Sequence, residues 1–258
     1  MDLYVRSLGP STAPTVVLLH GGGVSGWSWD PVAELLREYH CLIPDLPEHG
    51  RSLATGPFSI QMAVELIAHL IREKAHGGRA HLIGLSLGGQ IALELLSSRA
   101  ASVDSALLSG TLVRPISGIK ALRILLHAYM PFRNLNWLVR LNQRYYGIPD
   151  RYQAQFKDDT RRITARSLGR ILEANMSYRL PGNLAKVEVP TLVIVGGREQ
   201  GIMKQSVRDI VAALPRAEGR IAEGLSHNWP LQSPALCAQT IRAWISGQRL
   251  PERMRPLE

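Results

Sequence analysis

Residues 80–89 read Ala80-His81-Leu82-Ile83-Gly84-Leu85-Ser86-Leu87-Gly88-Gly89, and the fold turns on them. Ala80 to Gly84 is a short apolar run that predicts a buried strand, and Gly88 to Ser98 has the composition of a helix. Between them lies Gly84-Leu85-Ser86-Leu87-Gly88, a G-x-S-x-G pattern. Small residues two before and two after the serine let the chain turn so tightly that the hydroxyl projects above the sheet. The serine also precedes a helix N-terminus, where free N–H groups and the helix dipole favour a developing anion. The pattern alone is common in glycine-rich turns. A strand before it, a helix after it and a further glycine at Gly89 make it specific.

Working outward, the same alternation repeats. Thr15 to Leu19 predicts a strand running into Gly21-Gly22-Gly23, and Pro31 to Glu38 a helix capped by Asp30. Cys41 to Ile43 is a strand stopped by Pro44, and Ser59 caps a helix from Ile60 to Lys74. Ser105 to Leu108 and Thr191 to Val195 are further strands, and Ser206 to Leu214 is a helix ended by Pro215. A weak strand at Arg220 to Ala222 and a helix from Pro234 to Ile245 follow. The strands are continuously apolar rather than alternating, as in a parallel sheet covered on both faces. The expected fold class is therefore α/β, a mostly parallel sheet flanked by helices.

Residues 111–182 break the rhythm. Turn residues and helical patches occur there without a clear strand, which predicts a helical insertion in a core made of 1–110 and 183–258. The segment holds thirteen basic side chains against four acidic ones, the whole of the chain's +9, and eight of its fifteen aromatics. Elsewhere seventeen basic and seventeen acidic residues balance. With 258 residues, 45% hydrophobic and 20% charged, the composition is that of an ordinary globular chain and excludes a disordered or collagen-like one. Solvated helix faces account for the arginines better than attraction of acidic substrates or an anionic surface does, and no recognisable nucleic-acid module accompanies them. No apolar run reaches the ~18 residues of a membrane helix, and residues 1–6 carry no export signal. Two distant cysteines, Cys41 and Cys237, in apolar surroundings fit reduced core residues and an intracellular, cytoplasmic location. The end of the chain, Leu257-Glu258, carries no functional weight in this reading.

A serine nucleophile needs a base, an acid to orient that base, and donors for the oxyanion. His20-Gly21-Gly22-Gly23 follows the first strong strand, and its glycines let backbone N–H groups approach a ligand closely. Gly22 N–H is the expected first donor of an oxyanion hole and Leu87 N–H the second. The loop lacks the Gly-Lys-Ser/Thr of a P-loop and the G-x-G-x-x-G of a dinucleotide site. Among eight histidines, His227 stands apart. It lies in Gly224-Leu225-Ser226-His227-Asn228-Trp229, between the last strand and the last helix. His69 and His76 lie on or just past a helix, His40 and His81 start strands, and His127 lies in the insertion. The acid candidate is Glu199, in Gly196-Gly197-Arg198-Glu199 after a strand. No carboxylate follows the strand ending Leu107-Leu108-Ser109-Gly110-Thr111.

The order Ser86…Glu199…His227 is the nucleophile–acid–base order of one fold. With His20 to Gly23, Asp45-Leu46-Pro47-Glu48-His49-Gly50-Arg51-Ser52 and Gly84 to Gly89, the chain resembles the α/β-hydrolase superfamily, specifically its small capped esterase-like members. The resemblance implies an eight-stranded, mostly parallel sheet and a helical lid after the sixth strand, matching residues 111–182. The short N-terminal part implies one strand missing or reduced. Three positions depart from the pattern: Glu199 stands where Asp is usual, Met203 where Pro is common, and Glu48 where Gly is usual.

The expected function is hydrolysis of carboxylic esters through an acyl-enzyme on Ser86, with no metal and no cofactor. Neither an H-E-x-x-H motif nor clustered metal-ligand spacing occurs. Trp27 and Trp229, with the insertion's aromatics, are expected to line an apolar or aromatic pocket for a small-molecule ester. Thioesterase, lactonase, amidase and carbon–carbon-bond hydrolase chemistry share the triad. A ligand-binding homologue with little turnover shares the fold.

Overall fold

The computed structural model describes residues 2–118, 125–126 and 128–257. The strands are β1 (Val5–Leu8), β2 (Thr15–Leu19), β3 (His40–Pro44), β4 (Ala80–Leu85), β5 (Val103–Ser109), β6 (Thr191–Gly196), β7 (Ala217–Ala222) and β8 (Met254–Pro256). They form one sheet in the order β1-β3-β2-β4-β5-β6-β7-β8. The six from β3 to β7 are parallel, and β1 and β8 close the two edges antiparallel.

The apolar strands are buried on both faces because successive side chains point to opposite sides. Val17 and Leu19 face one cluster with Ile67, Ile71, Leu82, Ile91, Leu108 and Val193. Val16 and Leu18 face the other, with Ile43, Ile83, Leu107, Ile194, Trp229 and Ile241. On the first face lie α2 (Ile60–Lys74), α3 (Leu87–Arg99) and α7 (Gly201–Ala213). On the second lie α1 (Asp30–Ala33), α8 (Trp229–Gln232) and α9 (Pro234–Ile245). Each fully buried Val, Leu or Ile contributes about 1.5–3 kcal/mol, so the two clusters supply most of the driving force. Cys41 and Cys237 are free and buried.

Several expectations change in detail. The helix expected over Pro31 to Glu38 ends at Ala33, and Asp30 is its first residue rather than its cap. Leu35, Leu36 and Tyr39 donate to carbonyls three residues back, a tighter winding that delivers the chain to β3. The helix expected from Ser206 starts at Gly201, and the weak strand at Arg220 extends back to Ala217. Residues before Thr15 form one strand of four residues, so the insertion follows the fifth strand and not a sixth. The tail supplies β8, so the stretch leading to Leu257 has a structural role.

Between β5 and β6 the insertion contains α4 (Asn136–Tyr145), α5 (Gln153–Arg162) and α6 (Ala165–Ser177), with no strand among the described residues. Carboxylates tie it to the core. Asp159 on α5 accepts from Ser25 Oγ at 3.0 Å and from Trp27 Nε1 at 2.6 Å. Glu48 in the core accepts from Ser167 Oγ at 3.0 Å and pairs with Arg170, both on α6.

Candidate active site

Ser86 sits between the end of β4 and the start of α3 with φ +55° and ψ −113°. A non-glycine residue at positive φ is strained and persists only where its surroundings impose it. Here crowding imposes it. A methyl group on Gly84 would lie 2.5 Å from Gly88 O, one on Gly88 2.3 Å from Leu19 O, and one on Gly89 2.0 Å from Thr111 Oγ1. The Ser86 amide donates to Ser109 O at 2.7 Å, pinning the turn to β5. The Leu87 amide opens α3, and no described residue accepts its hydrogen bond.

The loop Gly21 to Gly23 runs beside this turn. A methyl on Gly21 would lie 3.5 Å from Ser86 Cβ. Two buried histidines hold the loop. His20 Nδ1–H donates to Gly21 O at 2.8 Å while its Nε2 accepts from Leu46 N at 2.9 Å. His49 Nδ1–H donates to Pro47 O at 2.9 Å while its Nε2 accepts from Gly23 N at 3.4 Å. Both roles need neutral imidazoles. Burial drives the His20 pKa down to about 4, and burial together with the neighbouring His20 drives His49 to about 3. No described residue accepts from the Gly22 amide, which lies in the same loop.

Glu199 and His227 meet. Glu199 Oε2 lies 2.6 Å from His227 Nδ1, and Oε1 accepts from Gly196 N at 2.8 Å. The extra methylene of Glu is taken up by this second bond, which folds the side chain back over its own turn. The Arg198 amide donates to Leu225 O at 3.0 Å and so joins the acid loop to the histidine loop. The Glu199 side chain is 6% exposed and that of His227 29%. The carboxylate is therefore shielded while the imidazole reaches open space.

Ser86 and His227 both line one cavity of about 400 Å³ between the sheet and the insertion. No hydrogen bond joins them among the described residues. The walls are largely apolar, with Val24, Ile148, Phe156, Ile163, Ile171 and Leu172 among them, and Gly22 contributes to the core side.

Two expected pocket residues lie elsewhere. Trp229 is fully buried beneath the site, where its Nε1 donates to Ser109 Oγ at 2.7 Å. Ser109 thus carries both the Ser86 turn and the base of the His227 loop. Trp27 faces the insertion, where it donates to Asp159 and stacks at a tilt on Tyr152, 5.8 Å between ring centres. Its indole N–H needs a buried acceptor, and the one in reach lies away from the cavity. His40 is bonded between Ser7 Oγ and Thr15 Oγ1, and His81 beside Ser105 Oγ. His127 lies outside the described residues.

The structure gives further residues a place at the site. Gly110, at φ +55°, leaves the space that the His227 ring fills. The anomalous Glu48 adopts φ +61°, a conformation its usual Gly would favour. Its departure from the pattern was the legible signal. Arg133, Asn142 and Tyr129 form a polar part of the cavity wall.

Comparison with known proteins agrees with this architecture. A fungal protein of Gibberella zeae called an AB hydrolase superfamily protein is 29% identical over 260 residues, covering 97% of this chain and 86% of that one. Lipase 3 of a Moraxella species is 24% identical over 250 residues, covering 92% of this chain and 78% of the lipase. The enol-lactonase of Burkholderia xenovorans superposes with a TM-score of 0.80 over 95% of this chain and 96% of its own, at 20% identity, a likeness of fold. Residues 16–240, from the second strand to the last helix, match the alpha/beta hydrolase family, and the chain belongs to it.

Proposed function

We propose that the protein is a serine hydrolase that cleaves carboxylic esters through an acyl-enzyme on Ser86. The observation that carries this reading is the 2.6 Å contact of Glu199 with His227 Nδ1, in a cavity that also exposes a serine held at φ +55°. Glu199 fixes the Nδ1–H tautomer, which leaves Nε2 free to act as base. His227 Nε2 takes the Ser86 proton as Oγ attacks the ester carbonyl. The tetrahedral oxyanion is held by the Gly22 and Leu87 amides, each worth about 3–4 kcal/mol of barrier. The proton then passes from Nε2 to the leaving alcohol. Water, deprotonated by the same nitrogen, attacks the acyl-enzyme and releases the acid.

The insertion acts as a lid that supplies most of the acyl or alcohol pocket, and the apolar walls favour a small substrate with an apolar body. The test is Ser86→Ala. Wild-type protein should hydrolyse a 4-nitrophenyl ester and be labelled covalently by an organophosphate. The variant should do neither while keeping its melting temperature. Retained turnover in the folded variant would remove Ser86 from the mechanism.

A further inference from the structure

Arg133 is the only formally charged residue among the described residues of the cavity wall, apart from the titratable His227. No Asp or Glu lines it, and residues 119–124 and 127 contain no acidic side chain in the sequence. The nearest acid on α5, Asp159, is bonded to Ser25 and Trp27 instead. Among the described residues, backbone oxygens alone hold the Arg133 guanidinium. Nε donates to Thr160 O at 3.1 Å, Nη1 to Met130 O at 2.7 Å and Nη2 to Arg161 O at 3.1 Å. Those carbonyls fix its plane and leave one N–H on each terminal nitrogen without a partner.

Two neutral donors share that wall. Asn142 Nδ2 gives one hydrogen to Tyr129 Oη at 2.8 Å and retains a second. Having accepted that bond, the Tyr129 hydroxyl has its own hydrogen to give. Burial raises the Tyr129 pKa, partly offset by the Arg133 charge, so the hydroxyl stays a donor at neutral pH. A cation, a phenol and an amide, all with hydrogens to spare in a largely apolar cavity, match an anion with several acceptor oxygens.

We propose that this wall is a carboxylate subsite, and that the substrate is an ester whose apolar body ends in a carboxylate held by Arg133, Tyr129 and Asn142 on the insertion while its ester carbonyl meets Ser86. This rests on the ester-hydrolase reading and narrows it to half-esters of dicarboxylic acids or carboxylated lactones. Such a site discriminates, because a neutral analogue leaves the half-buried donors and charge without a partner.

The experiment compares 4-nitrophenyl hydrogen succinate, glutarate and adipate with the methyl ester of each, pairs that differ by one charge. Wild-type protein should favour the acid over the methyl ester at least tenfold in kcat/KM at the best chain length. Arg133→Met should lower that ratio at least tenfold, and Arg133→Lys should restore part of it. Asn142→Asp, which leaves the backbone contacts of Arg133 intact, should lower the ratio as well. Equal rates for acid and methyl ester at every chain length, or a ratio unmoved in Arg133→Met, would overturn the subsite. If wild-type protein cleaves none of the esters, the serine reading fails by itself. The subsite is then read from calorimetry of Ser86→Ala protein with glutaric acid monoanilide and with its methyl ester. The acid should bind at least tenfold more tightly, and equal affinities would reject the subsite.

Discussion

Gly110 lies directly against the imidazole of His227: a methyl group on its α-carbon would stand 2.7 Å from both Cε1 and Nδ1 of the ring and 3.5 Å from Glu199 Oε1. The ring occupies the space that a side chain at position 110 would need. A glycine at position 110 is therefore a steric requirement of the pair opposite. Gly110→Ala should displace His227 and reduce kcat on a 4-nitrophenyl ester by about 100-fold or more, since catalytic groups must be placed within a fraction of an ångström. Gly77→Ala is the control. Gly77 has a similar φ of +64° with open space around it, so it shares the backbone cost of about 1 kcal/mol without touching the site. Equal activity in the two variants would show that position 110 does not set the ring.

Glu48 lies in the left-handed region, and its carboxylate accepts from three residues, Phe58 N at 3.0 Å, Ser167 Oγ at 3.0 Å and Arg170. Burial alone would raise its pKa, but the bonds from Arg170, Phe58 and Ser167 outweigh burial and leave it below the usual carboxylate range. Its contribution is thus present at neutral pH and is lost as pH falls through the folded-state value. Glu48→Ala should destabilise the protein by about 2–4 kcal/mol in urea titration, because Arg170 and the Phe58 amide lose their partner while the strain stays. Glu48→Gly should lose less, by about 1 kcal/mol, because glycine accepts the φ. An alanine variant as stable as the glycine variant would refute the strain argument.

The pH dependence of stability has two opposing sources. His20 and His49 start from the ordinary imidazole value of 6.5 and fall to about 4 and about 3. Between those limits the unfolded chain binds protons that the folded one excludes. Stability is therefore full above pH 6.5 and falls by several kcal/mol as pH drops through the folded values. Asp159 works the other way. Burial raises its pKa from 3.8 to about 6 despite the Trp27 and Ser25 bonds, so the folded state loses stability as pH rises from about 4 to about 6. Asp159→Asn keeps an oxygen acceptor for Trp27 and removes that loss. It should gain on the order of 1 kcal/mol at pH 7.5 and nothing near pH 4. Urea midpoints at the two pH values check both signs. A gain that is equal at both would place the effect outside the titration of Asp159.

Much of the site was legible because its parts are local. The Ser86 turn needs glycines at 84 and 88 within one strand–helix junction, and sterics at that junction demand them whatever the rest of the chain does. Glu199 and His227 could be chosen because each closes a loop at the same edge of a parallel sheet. Trp27 and Trp229 were misassigned for the opposite reason. A tryptophan next to a catalytic loop can turn toward the ligand or away from it, and the choice depends on where its N–H finds an acceptor. For Trp27 that is Asp159, 132 residues later, and for Trp229 it is Ser109, 120 residues earlier.

The sequence by itself determined the order of elements, the strained serine turn and the pairing of an acid with a histidine, since these follow from short-range sterics and the periodicity of burial. Only the tertiary structure decided what the cavity contains. Arg133, Asn142 and Tyr129 come from separate turns of a helical insertion whose packing carries no local signature. Their convergence depends on how α4 and α5 cross and on the carboxylates that fasten α5 and α6 to the core. The cavity lining is a long-range property of this chain, and the Ser86 turn is a short-range one.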